Sequence, residues 1–290
     1  AEVAPVGEHA LDHARDDRLG PDVRIAVRVG KPLGLVPDDR GVEVAEEARH
    51  VVGGEGCVDV ADEDFGLKAR RRSFLGGLLG SYAVGVLEDS WSRLWRGLGA
   101  VGDRDALFEA LKARYSEPWR KYQTLQHLAE CLELFATAAH LAEHPFEVES
   151  ALWFHDAVYD LQAHDNEDRS AVLARTVLRD AGLDASALEH VAGLVLATKH
   201  RALPALQDEK LVVDIDLSIL GAQPTRFDEY ESQIRAEYAF VPDAAFKAGR
   251  SAVLRSFLER PRIYSTAHLH ELLHDSARAN LERSLAALAS

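Results

Sequence analysis

Thr124-Leu125-Gln126-His127-Leu128-Ala129-Glu130-Cys131-Leu132-Glu133-Leu134-Phe135 reads as one amphipathic helix. Thr124 can accept free N–H groups of the first turn, and Leu125, Leu128, Leu132 and Phe135 return at three- and four-residue steps that place them on one face. The same spacing recurs on both sides. Upstream, Trp91, Leu94, Trp95 and Leu98 form one stripe, and Leu107, Phe108 and Leu111 form another behind Asp103, a second N-cap. Downstream, Pro145 suits the first turn of a helix predicted to run to about Asp160. Asp168 precedes a helical segment through Leu178 that Gly182 can end. Further helices are predicted from Leu188 to Lys199, Lys210 to Leu220, Phe227 to Tyr238, Ala244 to Leu258 and Ala267 to Leu288. No convincing strand, internal repeat or low-complexity tract lies among them. Residues 86–290 are therefore predicted to form one all-α domain of about 200 residues, an ordinary size for a single core.

Residues 1–85 read differently. They hold 13 of the 20 glycines, whereas all four tryptophans and 10 of the 13 histidines lie beyond them. Up to Arg72 the only aromatic residue is Phe65, and the alternating piece Val23 to Val29 is followed by Gly30, Pro32, Gly34 and Pro37. Such punctuation favours a flexible or poorly packed leader over a small β-rich domain. Arg70-Arg71-Arg72-Ser73-Phe74-Leu75 resembles part of a twin-arginine export signal, but it lies far into the chain and glycine dilutes the apolar run behind it. The sequence has no methionine and begins at Ala1, so a start near Val86, with a non-native or vestigial segment before it, is the expectation.

Composition narrows the function classes. With 33 Lys plus Arg against 48 Asp plus Glu, the net charge of −15 argues against binding a nucleic-acid polymer through bulk charge. A hydrophobic content of 47% suffices for a core. No run reaches the roughly 20 apolar residues of a membrane-spanning helix, so a soluble protein with no membrane partner is expected. The two cysteines, Cys57 and Cys131, cannot build a disulfide framework and suit a reducing cytoplasm.

Histidines and acids of the helical part supply the chemistry. His127 lies early in one helix, His155 and Asp156 are adjacent in the next, and Asp214 and Asp216 lie in a later one. Adjacent side chains on a helix diverge by about 100°, so His155 and Asp156 share an ion only over a common edge. Imidazole plus carboxylate suits Mn, Fe, Co, Ni or Zn, with Mg also possible. A cation would also justify an acid beside Ala151-Leu152-Trp153-Phe154, where it otherwise carries a desolvation cost. His140, His144, His164, His190, His268, His270 and His274 read as surface or hydrogen-bonded residues.

The order His127, His155-Asp156 and then Asp214-Ile215-Asp216-Leu217 resembles the H…HD…D pattern of the HD superfamily of metal-dependent phosphohydrolases. Tyr122 to Leu128, Leu152 to Asp160 and Asn166-Glu167-Asp168-Arg169-Ser170 are similar to a bacterial group within it. Ala197-Thr198-Lys199-His200, Asp214 to Gly221, Ile234 to Tyr238 and Gly249-Arg250 extend the likeness over roughly Val86 to Ser290. The resemblance implies a helical bundle with His127, His155, Asp156 and Asp216 as metal ligands, Asp214 being the alternative. Asp214 and Asp216 stand about 200° apart on a helix, so the other is expected to cap or to support. The chain departs from the pattern at Gln123, where relatives carry histidine, and glutamine is a poor ligand.

The resemblance further implies hydrolysis of a phosphate ester of a small molecule, a nucleotide being one candidate. Asp156 would orient the water, Lys199 would neutralise phosphate charge, His200 would protonate the leaving oxygen or bind a second ion, and Asp160, one turn after Asp156, would anchor His127 or Lys199. Arg235 and Arg250 read as solvated or salt-bridged, and Trp153, Phe154 and Tyr159 as packing residues. The competing readings are a di-iron oxygenase, which needs further ligands, and a non-catalytic metal- or nucleotide-binding module. Removing residues 1–85 is expected to leave helical circular dichroism and cooperative melting intact; loss of soluble protein on truncation would make that segment structural.

Overall fold

Caps and apolar spacing place the helices. Asp103 accepts the N–H of Ala106, Thr124 that of Gln126, Asp184 that of Ala187 and Thr266 that of Leu269. In this computed structural model, which describes residues 79–290, the helices are α1 (Leu79–Gly97), α2 (Arg104–Tyr115), α3 (Leu125–Ala138), α4 (Pro145–Phe154) and α5 (Asn166–Asp180). They continue as α6 (Ala185–Ala197), α7 (Gln207–Asp216), α8 (Pro224–Glu237), α9 (Asp243–Leu258) and α10 (Ala267–Ala289). Among the described residues there is no strand, and the architecture is all-α. None of these helices is long and apolar enough to cross a membrane.

The expectation for the N-terminal leader falls, up to residue 78, outside the described residues. Helix α1 begins at Leu79, so Val86 lies inside a helix. Its Leu87, Trp91 and Leu94 enter the core. Trp91 and Phe108 pack on Trp153, with ring centroids 5.0 and 5.9 Å away.

Helix α4 is the axis of the bundle. It packs against α1, α3, α5, α6 and α7, and every residue from Val148 to Ala157 is buried. A helix enclosed on all sides needs apolar residues all round, as Val148, Ala151, Leu152, Trp153 and Phe154 supply. Its one buried acid, Glu149, accepts from Ser90 at 2.7 Å and pairs with Arg93, both on α1. Burial still raises the Glu149 carboxyl above its usual range against these partners.

Helix α4 stops at Phe154, short of the predicted Asp160, because side chains from elsewhere capture its last carbonyls. His155 Nδ1 lies 2.7 Å from the Leu152 oxygen, and Tyr115 donates to Trp153 O at 3.0 Å. Arg120 donates to Asp156 O at 2.8 Å and to Ala157 O at 3.4 Å. The Leu152 and Trp153 carbonyls are acceptors a helix end leaves open, and Arg120 holds the turn that follows.

On the far side, Gly182 lies just beyond α5 with φ of 95°, a turn glycine adopts without strain. The loop before α3 is tied down by Glu237 of α8, which accepts the N–H of Lys121 (2.7 Å) and of Tyr122 (2.9 Å) and the hydroxyl of Tyr159 (2.7 Å).

Glu237→Ala leaves these donors without their buried acceptor and is expected to destabilise the fold by about 2–4 kcal/mol. Urea unfolding should show a lower midpoint at unchanged slope. Glu237→Gln, which keeps an acceptor oxygen, should cost less.

Candidate metal centre

His127 is on the first turn of α3, His155 and Asp156 form the turn that closes α4, and Asp216 is the last residue of α7. The four are 2%, 0%, 1% and 7% exposed. One ligand atom from each lies within 4.8 Å of the others, and together they can hold a metal ion. The two imidazole Nε2 atoms are 3.2 Å apart. Asp156 Oδ2 is 3.1 Å from His155 Nε2 and 3.8 Å from His127 Nε2, and Asp216 Oδ1 is 3.3 Å from His127 and 3.6 Å from His155. Bonds of about 2.0–2.2 Å put donors about 3.3–3.6 Å apart in a tetrahedral site and about 3 Å apart at neighbouring octahedral corners. The donors are spaced as ligands of one such ion.

Hydrogen bonds decide which ring atoms face inward. The Leu152 carbonyl can only accept, so His155 Nδ1 carries the proton and Nε2 is left for the cluster. Tyr122 Oη lies 3.0 Å from His127 Nδ1 and holds that ring with its Nε2 towards the cluster. Burial, foremost, raises the Tyr122 phenol well above its ordinary value, so it stays neutral.

No family model, curated protein or solved structure matches the chain.

The other sequence-derived positions sort themselves by contact. Asp214 does not join the cluster. It accepts the N–H groups of Ser265 (2.8 Å) and Thr266 (2.7 Å) and the Thr266 hydroxyl (2.7 Å), fixing the start of α10. Burial raises its carboxyl above the usual range, opposed by those bonds. His200 is buried and reaches Asp216 Oδ2 with Nε2 at 3.0 Å. Lys199 pairs with Asp168 at the start of α5.

Asp160 is exposed and accepts the N–H of Gln162 at 2.9 Å. It cannot follow Asp156 by one helical turn because α4 has already ended, and the partner of His127 is Tyr122. Arg250 is fully buried and paired with Glu231, and Arg235 binds Asp243 at 2.6 Å.

Sequence reading missed the bracing of the Asp156 turn. Arg120, 4% exposed, holds two of its carbonyls while its guanidinium lies over Tyr115 and Tyr159. From α5, Ser170 Oγ accepts the Val158 N–H at 3.0 Å, and the Asn166 amide bonds both backbone groups of Asp160. The quoted stretch Asn166 to Ser170 could have signalled this, since Asn and Ser are backbone-binding residues. Arg120 sits in an aperiodic stretch with no such signal.

All four inward atoms accept when the rings are neutral and the carboxylates ionised, so the centre needs positive charge. Burial works to lower the His155 pKa, but Asp156 and then Asp216 outweigh it and hold it up at about 9. This proton contributes stability fully below the unfolded pKa near 6.5 and loses it as pH rises through about 9. The metal-free protein should therefore melt progressively lower between those limits. A divalent cation added at pH 7.5 should displace about one proton, seen as a buffer-dependent binding heat. A melting temperature flat across that window would mean that His155 holds no such proton.

Proposed function

We propose that the chain is a metal-dependent hydrolase of the HD-superfamily type, cleaving a phosphate ester of a small molecule such as a nucleotide. The observation that carries the reading is the convergence of two imidazole nitrogens and two carboxylate oxygens, from two helices and one helix-ending turn, within 4.8 Å in a buried setting. A divalent cation, when bound, supplies Lewis acidity and lowers the pKa of a water towards neutrality.

The residues have separable tasks. His127 and His155 present Nε2 with their other nitrogens already engaged. Asp156 can orient a water as well as ligate, because a carboxylate offers two oxygens. His200 holds Asp216 through its second oxygen. Lys199 would have to exchange Asp168 for a phosphate, which its partly exposed position permits.

The near-complete burial of the four donors favours one second reading, a non-catalytic metal-binding module, because closed sites are typically structural and catalytic ones keep a position open. Phosphate release from nucleotides, sugar phosphates and an aryl phosphate with added Mn or Co, beside elemental analysis, separates the two. His155→Ala and Asp156→Asn are each expected to lower turnover by at least roughly a hundredfold while circular dichroism stays helical. Metal content without turnover on any ester would favour the module, and full turnover by His155→Ala would sink the hydrolase reading.

A further inference from the structure

We propose that the chain carries a second divalent-cation site, built from His144, Glu147 and His190 and braced by Asp208. It stands at the opposite ends of α4 and α7 from the buried cluster. His144 directly precedes α4, Glu147 is in the first turn of α4, His190 is in α6 and Asp208 is in the first turn of α7. One ring nitrogen of each histidine and one carboxylate oxygen of Glu147 lie within 4.8 Å of one another. The two rings are 4.9 Å apart between centroids. From the sequence both histidines read as surface or hydrogen-bonded residues.

Asp208 supports this trio as carboxylates support metal-binding histidines. It is 1% exposed and fixed by the N–H groups of Glu143 (2.7 Å) and His144 (3.0 Å). Its Oδ2 lies 3.0 Å from His144 Nδ1 and 3.7 Å from His190 Nε2. Asp208 thus orients the His144 ring and faces His190, while Glu147 holds the other side of His190. The competing arrangement, two protonated rings each paired with an acid, puts like charges side by side, whereas one cation satisfies both rings and both acids. Two carboxylates also offset the positive N-terminal ends of α4 and α7.

Side-chain exposures of 56% for His144, 20% for Glu147 and 25% for His190 leave the site open to solvent, so water can complete the shell. Imidazole with carboxylate selects a borderline ion such as zinc, cobalt or nickel. Helix α4 has 10 residues, or about 15 Å of rise, so the ion would clamp the starts of the same two helices whose ends present His155, Asp156 and Asp216.

The test uses the full chain stripped of metal, titrated with zinc by calorimetry and with cobalt by visible absorption. The parent should bind two equivalents. The double variant His144→Ala/His190→Ala should lose one and keep the other, and His155→Ala should lose the other. Glu147→Gln, which conserves shape, should weaken zinc at this site by roughly tenfold or more with helicity unchanged. The proposal is overturned if Glu147→Gln binds zinc like the parent, if a folded double variant keeps the parent stoichiometry, or if the only equivalent bound is the one lost in His155→Ala.

Discussion

A histidine and an acid at the end of a helix enclosed on every side are the constraint from which the rest follows. His155 and Asp156 are 0% and 1% exposed, behind a helix whose own residues are apolar almost throughout. Water satisfies neither group, and an isolated ionised carboxylate there would cost many kcal/mol. The surrounding helices meet that cost with facing side chains from α3 and α7 and with hydrogen bonds to the backbone of the turn. Arg120, Ser170, Asn166 and Tyr115 each bond a main-chain group within a few residues of Asp156. These bonds hold the turn in place, and the turn places the donors.

The same burial sets this centre apart from an exposed salt bridge. Two imidazoles and two carboxylates that face one another have more acceptors than donors unless positive charge sits between them. A single proton, held on His155, meets this need only partly, since it can lie along few of the short contacts. A divalent cation meets it along all of them at once. A cation bound here would compete with that proton for one place, so its affinity would rise as the proton leaves.

Periodicity made the fold legible where a helix has one wet face. The α3 stripe behind Thr124 and the α10 segment behind Thr266 begin where their caps stand. It failed where contacts from elsewhere decide the boundary. Residues 155 to 160 are compatible with a continuing helix, which is ended by Tyr115, bonded to the Trp153 carbonyl, and by Arg120, which holds the Asp156 and Ala157 carbonyls in a turn. That is why Asp160 was misplaced as a neighbour of Asp156. The His155-Asp156 doublet stands out because a histidine followed by an acid amid buried apolar residues violates local sense, and such violations mark sites; His127 and Asp216 join it only through the resemblance to the H…HD…D pattern. The division between Asp214 and Asp216 was half legible: the helix forbids both from facing one ion, but only the packing of α10 shows which one turns away. Lys199 offered no sequence signal for Asp168, which lies 31 positions away.

The four donors are also unequally enclosed, and the inequality has a direction. His155, Asp156 and His127 are effectively sealed, while Asp216 is the most exposed of the four at 7%. Beside it His200, just past the end of α6, adopts φ of 56°, a left-handed conformation that costs a residue with a Cβ about 1–2 kcal/mol. Its bond to Asp216 Oδ2 is the visible compensation. Strain of this kind survives only where surrounding contacts over-determine it, and it concentrates at sites that bind or react. Two features therefore meet at Asp216: it is the least enclosed of the four donors, and it is bonded by the one non-glycine residue at positive φ among the described residues.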